Sequence, residues 1–266
     1  MHDSPPFLAL RNAVVVRAGR PILAIDELSF AEGEHVAILG PNGSGKSTLV
    51  GLITREVAPL WREEPPVRFR GQARPMLAEV RSALGIVSST MQDQISVHLP
   101  VADIVAGGAS GTLGLPFHVS EDEAARACEK ATGVLSALGI ADLAARDVMT
   151  LSTGQARRVL IARALANDPE ALIFDEPCTG LDPEGMHHVR ASMRALARAG
   201  VAVIVVTHYP EDVIPEVNRV ILLKEGRVFA DGPKAQVLTG AVLGSLFGID
   251  VQIRNAGGYY SLVSAY

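Results

Sequence analysis

Cysteine is nearly absent: Cys128 and Cys178 are the only two in 266 residues. Two thiols make no disulfide framework and fit a reducing, cytoplasmic interior. Long apolar runs are missing as well. Val201–Val206 is among the longest, and it falls far short of the roughly 20 residues a helix needs to cross a bilayer. An integral membrane protein is thereby excluded. No cationic segment followed by an apolar one stands at Met1–Pro6, so no secretory signal is expected. Positive charge is not in excess either: 24 Lys and Arg against 29 Asp and Glu give a net charge of −5. That balance argues against a strongly basic nucleic-acid binder. What is present is ordinary globular composition, with 48% apolar and 20% charged residues. A chain of this size can bury roughly 70 to 75% of its extended surface, so extensive disorder is excluded.

The hydrophobic pattern predicts two strands, Phe7–Val16 and Arg20–Phe30, in a partly exposed antiparallel portion. His35–Leu39 is a short continuous apolar run, suited to a strand buried on both faces, and it leads through a glycine-rich loop into a helix from Lys46 to about Thr54. Between there and Leu84, Pro59, Pro65, Pro66 and Pro75 interrupt any period, and the stretch reads as irregular apart from a strand near Val67–Phe69. Leu84–Ser88 reads as a strand, Val101–Ala106 as a short helix and Gly107–Gly114 as a loop. Ser120-Glu121-Asp122-Glu123 has capping-box spacing. It opens an amphipathic helix with Ala124, Cys128, Ala131, Leu135 and Leu138 on its apolar face. A second helix covers about Gln155–Ala166, and beyond it strands and helices alternate: Ala171–Asp175, Pro183–Ala199, Val201–Thr207, then Val217–Lys224 and Arg227–Ala230. Alternation of that kind implies a mostly parallel sheet covered by helices. The expected fold is therefore α/β, with an N-terminal antiparallel β portion and a helical subdomain inserted at about residues 90–165. Residues 236–266 are left as an unassigned tail.

Gly40-Pro41-Asn42-Gly43-Ser44-Gly45-Lys46-Ser47 matches G-x-x-x-x-G-K-[ST] between a strand and a helix. The glycines leave backbone amides free to point at phosphate oxygens, and the helix adds its positive end. Lys46 would lie between the β and γ phosphates of ATP, and Ser47, with Thr48 beside it, would ligate Mg²⁺. Asp175 and Glu176 stand at the tip of an apolar strand, where a carboxylate without a cation would be costly. Asp175 could hold Mg²⁺, and Glu176 could polarise the attacking water.

Leu151-Ser152-Thr153-Gly154-Gln155 is similar to the L-S-G-G-Q signature of the ATP-binding cassette (ABC) ATPases. Gly180-Leu181-Asp182 resembles that family's D-loop, and His208 its switch histidine. The resemblance covers about residues 7–235 and implies a P-loop NTPase core that hydrolyses ATP. It also implies that Ser152, Gly154, Gln155 and Asp182 contact nucleotide, with Ser152 and Gly154 of one protomer closing over the γ-phosphate held by Lys46 of another. The partner would be a second copy or a related cassette.

Two positions depart from the family pattern. Ala18 stands where an adenine-stacking aromatic is expected, with Arg17 beside it, and Ser89 stands where the Q-loop glutamine is expected, with Gln92 and Gln94 just beyond. Gln92 is a candidate third metal ligand. Two functions remain open on this resemblance. One is the detached ATPase subunit of a transporter whose separate transmembrane subunits hold it at the inner face of the membrane, with Ile95, Val97 and Leu99 at the docking groove. The other is a soluble ABC ATPase acting in DNA repair, translation or regulation. Adjacent His187 and His188 point about 100° apart on a helix and read as solvated rather than as a metal pair. Arg190, Arg194 and Arg198 read as a solvent face.

Overall fold

The computed structural model describes residues 5–264. In chain order the elements are β1 (Leu8–Arg17), β2 (Arg20–Phe30), β3 (Val36–Leu39), α1 (Lys46–Ile53), β4 (Val67–Phe69), α2 (Leu77–Ala83), β5 (Leu84–Ser88), α3 (Ser89–Asp93), α4 (Val101–Ala106) and α5 (Glu121–Ala137). There follow α6 (Thr153–Leu165), β6 (Ala171–Asp175), α7 (Pro183–Arg198), β7 (Ala202–Thr207), β8 (Arg219–Lys224), β9 (Arg227–Pro233), α8 (Lys234–Val237), α9 (Gly240–Phe247), β10 (Val251–Ala256) and β11 (Tyr259–Ser264). They form two compact units, one running to Arg81 and resuming at Ala202, the other being Ser82–Val201. Among the described residues no helix is long and apolar enough to cross a membrane.

In the first unit β1 pairs antiparallel with β2 on one side and β4 on the other. Ala18 (φ 49°) and Gly19 (φ 74°) make the two-residue turn between β1 and β2, a geometry whose twist matches that of the strands it joins. Leu8 and Leu10, then Ala13 and Val15, are buried along β1; the period-two alternation of a strand slips by one residue at Asn12, whose φ is 49°. The second sheet of this unit centres on β3, whose four residues are all fully buried. Parallel neighbours β7 and β8 flank it, and β9 closes the edge antiparallel to β8. Leu39 is level with Thr207 of β7 and with Leu222 of β8. The segments that start at Gly40 and at His208 therefore leave from adjacent strand ends.

One arginine fastens this unit together. Arg219 donates from Nε and Nη2 to the two carboxylate oxygens of Asp231, each at 2.6 Å, and from Nη1 to the Ser29 carbonyl at 2.8 Å and Glu34 Oε1 at 3.2 Å. The hydrogen bonds to Asp231 hold the guanidinium more firmly protonated than usual. Arg219→Ala leaves two partly buried carboxylates without their cation, so a loss of about 2 kcal/mol is expected, read as a lower urea midpoint.

In the second unit β5 and β6 run parallel from Leu84 beside Ala171 to Ser88 beside Asp175. Helices α3 to α7 complete it. The capping box of α5 is formed, with Ser120 Oγ accepting from the Glu123 amide and Glu123 Oε2 from the Ser120 amide. Its buried residues are Ala131 and Leu135, with Ala124 and Ala127 half-buried on the same side, and Cys128, expected on that face, is exposed. Ala127 satisfies the same helical period from the other side of Ala124.

Three further differences concern elements that the sequence pattern left unread. The proline-rich stretch expected to be irregular ends in α2, which starts two residues after Pro75; Ser89–Asp93 is a short helix capped by Ser88 Oγ on the Met91 amide. The C-terminal stretch folds into α9 and a β10–β11 hairpin. The Leu262 amide of that hairpin donates to Glu211 Oε1 at 2.7 Å, which pins it to the turn after His208.

Candidate functional site

The first unit carries the phosphate loop. Gly43 and Gly45 take positive φ (78° and 100°), and Gly45 caps α1 without any side-chain hydrogen bond to the helix amides. A side chain at Gly45 would meet Leu23 Cδ1 at 3.1 Å and the Ile22 carbonyl at 3.3 Å. Backbone strain and crowding together thus demand glycine there. Gly40 is equally constrained: a Cβ would stand 2.4 Å from the Leu223 carbonyl and 2.5 Å from Ser44 Oγ. Lys46 is buried, and its Nζ donates to the Gly40 carbonyl at 2.7 Å and the Pro41 carbonyl at 3.2 Å. The ammonium is thereby folded back over its own loop. Ser44 Oγ is buried with no hydrogen-bond partner among the described residues, a cost a buried hydroxyl bears only where something else completes it. A bare helix start, a buried cation and a buried unsatisfied hydroxyl suit phosphate oxygens. Asn42, Gly43 and Ser47 are exposed, and Pro41 and Thr48 half-buried.

From the neighbouring strand end, Thr207 Oγ1 donates to Asp212 Oδ2 at 2.8 Å in a fully buried pair and accepts from the Tyr209 amide at 3.1 Å. These bonds fix the turn on which His208 rides. Its ring lies 3.8 Å from that of Tyr209. At the β1–β2 turn Arg17 and Ala18 are both exposed, and the turn itself contains no aromatic residue.

The second unit carries the carboxylates. Asp175 ends β6, and Glu176 follows at φ 51°, a left-handed conformation that costs a residue with a Cβ roughly 1 to 2 kcal/mol. Its Oε2 accepts from Thr179 Oγ1 at 3.2 Å. Its carbonyl accepts from Arg157 Nη1 at 3.2 Å, and the Pro177 carbonyl accepts from the same nitrogen at 2.9 Å. Arg157 Nε in turn donates to Gln92 Oε1 at 3.2 Å. Of the three Q-loop candidates, then, Gln92 is the one that Arg157 ties to the carboxylate turn. Ser89 opens α3, and Gln94 is its exposed C-cap residue. Ile95 is buried, so an acidic substitution there would test packing rather than docking.

Ser152 starts α6 in a second capping box, its Oγ accepting from the Gln155 amide while Gln155 Oε1 accepts from the Ser152 amide. Asp182 caps α7 through the Gly185 amide at 2.7 Å. The starts of these helices nearly touch, because a Cβ on Gly154 would lie 3.2 Å from Gly185 Cα. Beside them opens a cavity of about 530 Å³ lined by Ser152, Gly154, Gln155, Asp182, Arg158 and His188. His188, expected to be merely solvated, is exposed but faces this cavity, 3.7 Å from Glu184 Oε1. Burial lowers the pKa of Arg158 below its ordinary value, with Asp142 opposing.

The sequence family model described as "ABC transporter" matches residues 23–179. The chain belongs to the ABC transporter family. The ABC transporter ATP-binding protein YlmA of Bacillus subtilis is 32% identical over 249 residues, covering 93% of both chains. The cobalt import ATP-binding protein CbiO of Rhodobacter capsulatus is 38% identical over 221 residues, or 82% of this chain and 76% of that one. Among solved structures, cbiO1 from Clostridium perfringens, part of the ABC transporter complex cbiONQ, superposes with a TM-score of 0.72 at 29% identity, covering 90% and 93% of the two chains. This is accordingly an ABC cassette of the P-loop α/β fold with its antiparallel β portion and helical part, an ATP-binding protein of transporter type. Nothing in these likenesses points to a role outside transport.

Sequence reasoning missed Arg157 and Asp212. Arg157 could have been noticed, because it stands on the helical line Gly154, Arg157, Ile161 with an apolar residue at its end, where an arginine is out of place. Asp212 lies beyond a proline in a turn and gave no periodic signal.

Proposed function

We propose that this cassette hydrolyses ATP to ADP and phosphate with Mg²⁺ and so drives transmembrane subunits encoded as separate chains. The observation that carries the reading is the phosphate loop, in which the buried Lys46 ammonium, the buried Ser44 hydroxyl and the uncapped start of α1 lie together. Lys46 and the loop amides would hold the β and γ phosphates. Among the described residues no group of three His, Cys, Asp or Glu side chains gathers for a metal. Magnesium commonly needs no such cage, being held by one or two carboxylates, a hydroxyl, water and the substrate's own phosphates; Ser47 and Asp175 would be the hydroxyl and the carboxylate of such a set. When bound, the ion would neutralise charge developing on the phosphates. Glu176 would accept a proton from, and orient, the attacking water, and His208 would contact the γ-phosphate. Ser152, Gly154, Gln155 and Asp182 would meet the nucleotide of a second cassette. Transport coupling is supported by the likeness to CbiO, a cobalt import protein. Phosphate release by the purified chain should need Mg²⁺ and stop with excess EDTA. Equal release in EDTA would overturn the metal assignment, and no release with or without a second cassette and membrane subunits would overturn the ATPase reading.

A further inference from the structure

Arg157 is the largest fully buried side chain among the described residues, only 1% exposed. Burying a guanidinium costs several kcal/mol unless its donors are met. A methionine would fill similar space with no such demand, so the polar reach of this side chain calls for a reason. Its donors reach, among others, Gln92 Oε1 on α3 and the carbonyls of Glu176 and Pro177 after β6. Arg157 itself sits on α6, one turn beyond Gly154. Three stretches that the sequence presents as separate motifs are therefore joined through one rigid planar group.

The acceptor at Glu176 is what gives this contact its chemical weight. Glu176 is held at a positive φ, a conformation that persists only where surrounding contacts over-determine it. Two hydrogen bonds from Arg157 Nη1 fall on this residue and the next. We infer that Arg157 is a positioning residue for hydrolysis, carrying the placement of Gln92 to the main chain of Glu176. The inference rests on the assignment of Glu176 to the attacking water. A guanidinium moves as one body, because its nitrogens are coplanar and conjugated. A shift of α3 that realigns Gln92 Oε1 on Nε therefore swings Nη1, and with it the carbonyls that orient the Glu176 carboxylate. A displacement near 1 Å in a catalytic group can cost on the order of 10²-fold in rate. Hydrolysis then responds to whatever holds Ser89–Asp93, even if that segment never touches the nucleotide.

The test measures kcat and ATP affinity for Gln92→Leu, Gln92→Glu, Arg157→Met and the double variant Gln92→Leu/Arg157→Met, beside Glu176→Gln. Gln92 is half-buried at the surface of α3, so its variants should fold. Gln92→Leu should lower kcat about 5- to 10-fold with ATP affinity unchanged, since it removes one hydrogen bond to a charged donor. Gln92→Glu keeps an oxygen acceptor and should recover at least half of that loss, which a purely packing role would not produce. Arg157→Met should lower kcat on the order of 10²-fold, and the double variant should fall no further, because one link broken twice counts once. Wild-type kcat in Gln92→Leu overturns the inference, as do multiplicative losses in the double variant or losses confined to ATP affinity. If Arg157→Met does not fold, the two Gln92 variants decide alone. Should Glu176→Gln hydrolyse normally, the assignment of Glu176 falls and the relay with it. An inactive Glu176→Gln beside an unaffected Gln92→Leu removes the relay and leaves the assignment standing.

Discussion

Lys46→Ala should weaken ATP binding by roughly 10- to 100-fold, the value of one or two charge-assisted hydrogen bonds to phosphate. The loss has two sources. Alanine removes the fixed cation of the phosphate loop, and it also removes the donor that ties the Gly40 and Pro41 carbonyls together at 2.7 and 3.2 Å. The loop then spends part of its time in conformations that do not present its amides, and affinity falls by the fraction lost. Because Lys46 is buried among its own loop and α1, Lys46→Arg should not rescue: the larger planar group has no room to fold back in the same way. Equilibrium titration with a fluorescent ATP analogue checks this, and affinity within twofold of wild type for Lys46→Ala would remove the loop from the binding site.

The second large effect concerns turnover alone. Glu176→Gln keeps the shape of the side chain and an oxygen to accept from Thr179 Oγ1, so the turn should hold its form. What disappears is the basic carboxylate, and kcat should drop by roughly 10² or more with ATP affinity kept. A protein that binds but does not cleave should accumulate in its ATP-bound assembly. Light scattering with MgATP should then show a two-fold dimer, each site completed by Ser152 and Gly154 of the other copy. Near-normal hydrolysis would refute the role of Glu176; an inactive variant that stays monomeric at micromolar concentrations would refute the homodimer and leave a related cassette as partner.

Where local chemistry decided the structure, the sequence could be read directly. The β3 strand and the loop after it were visible because a run buried on both faces and a positive-φ glycine each leave little choice of residue. Ala171–Asp175 matches its strand for the same reason, and Leu84–Ser88 matches although only Leu84 and Val87 in it are buried. What stayed hidden depended on distant contacts. Residues 240–264 carry no motif, yet the hairpin there is held by Glu211, which follows β7. The role of Gln92 could not be chosen over Ser89 or Gln94 from spacing, because α3 shifts the glutamine along a helical turn and only the buried Arg157 shows which side chain is engaged. The exposure of Cys128 was not legible because Ala127 and Cys128 fit the helical period almost equally well, and alanine gives no size signal.

Gly226, in the turn between β8 and β9, has φ 75°, donates its amide to the Ser44 carbonyl at 3.0 Å and accepts from the Ala24 amide at 2.7 Å. Any side chain on it would sit 2.5 Å from the Ile22 carbonyl. A geneticist who found a loss-of-function allele at this glycine would see a residue outside every recognised motif and would score it as a folding defect. The contacts add a second effect to that one: pushing this turn outward drags on Ser44 and on the β1–β2 hairpin together, so nucleotide capture would suffer beside any loss of stability. Diagnosis of such an allele needs a binding assay beside an abundance assay.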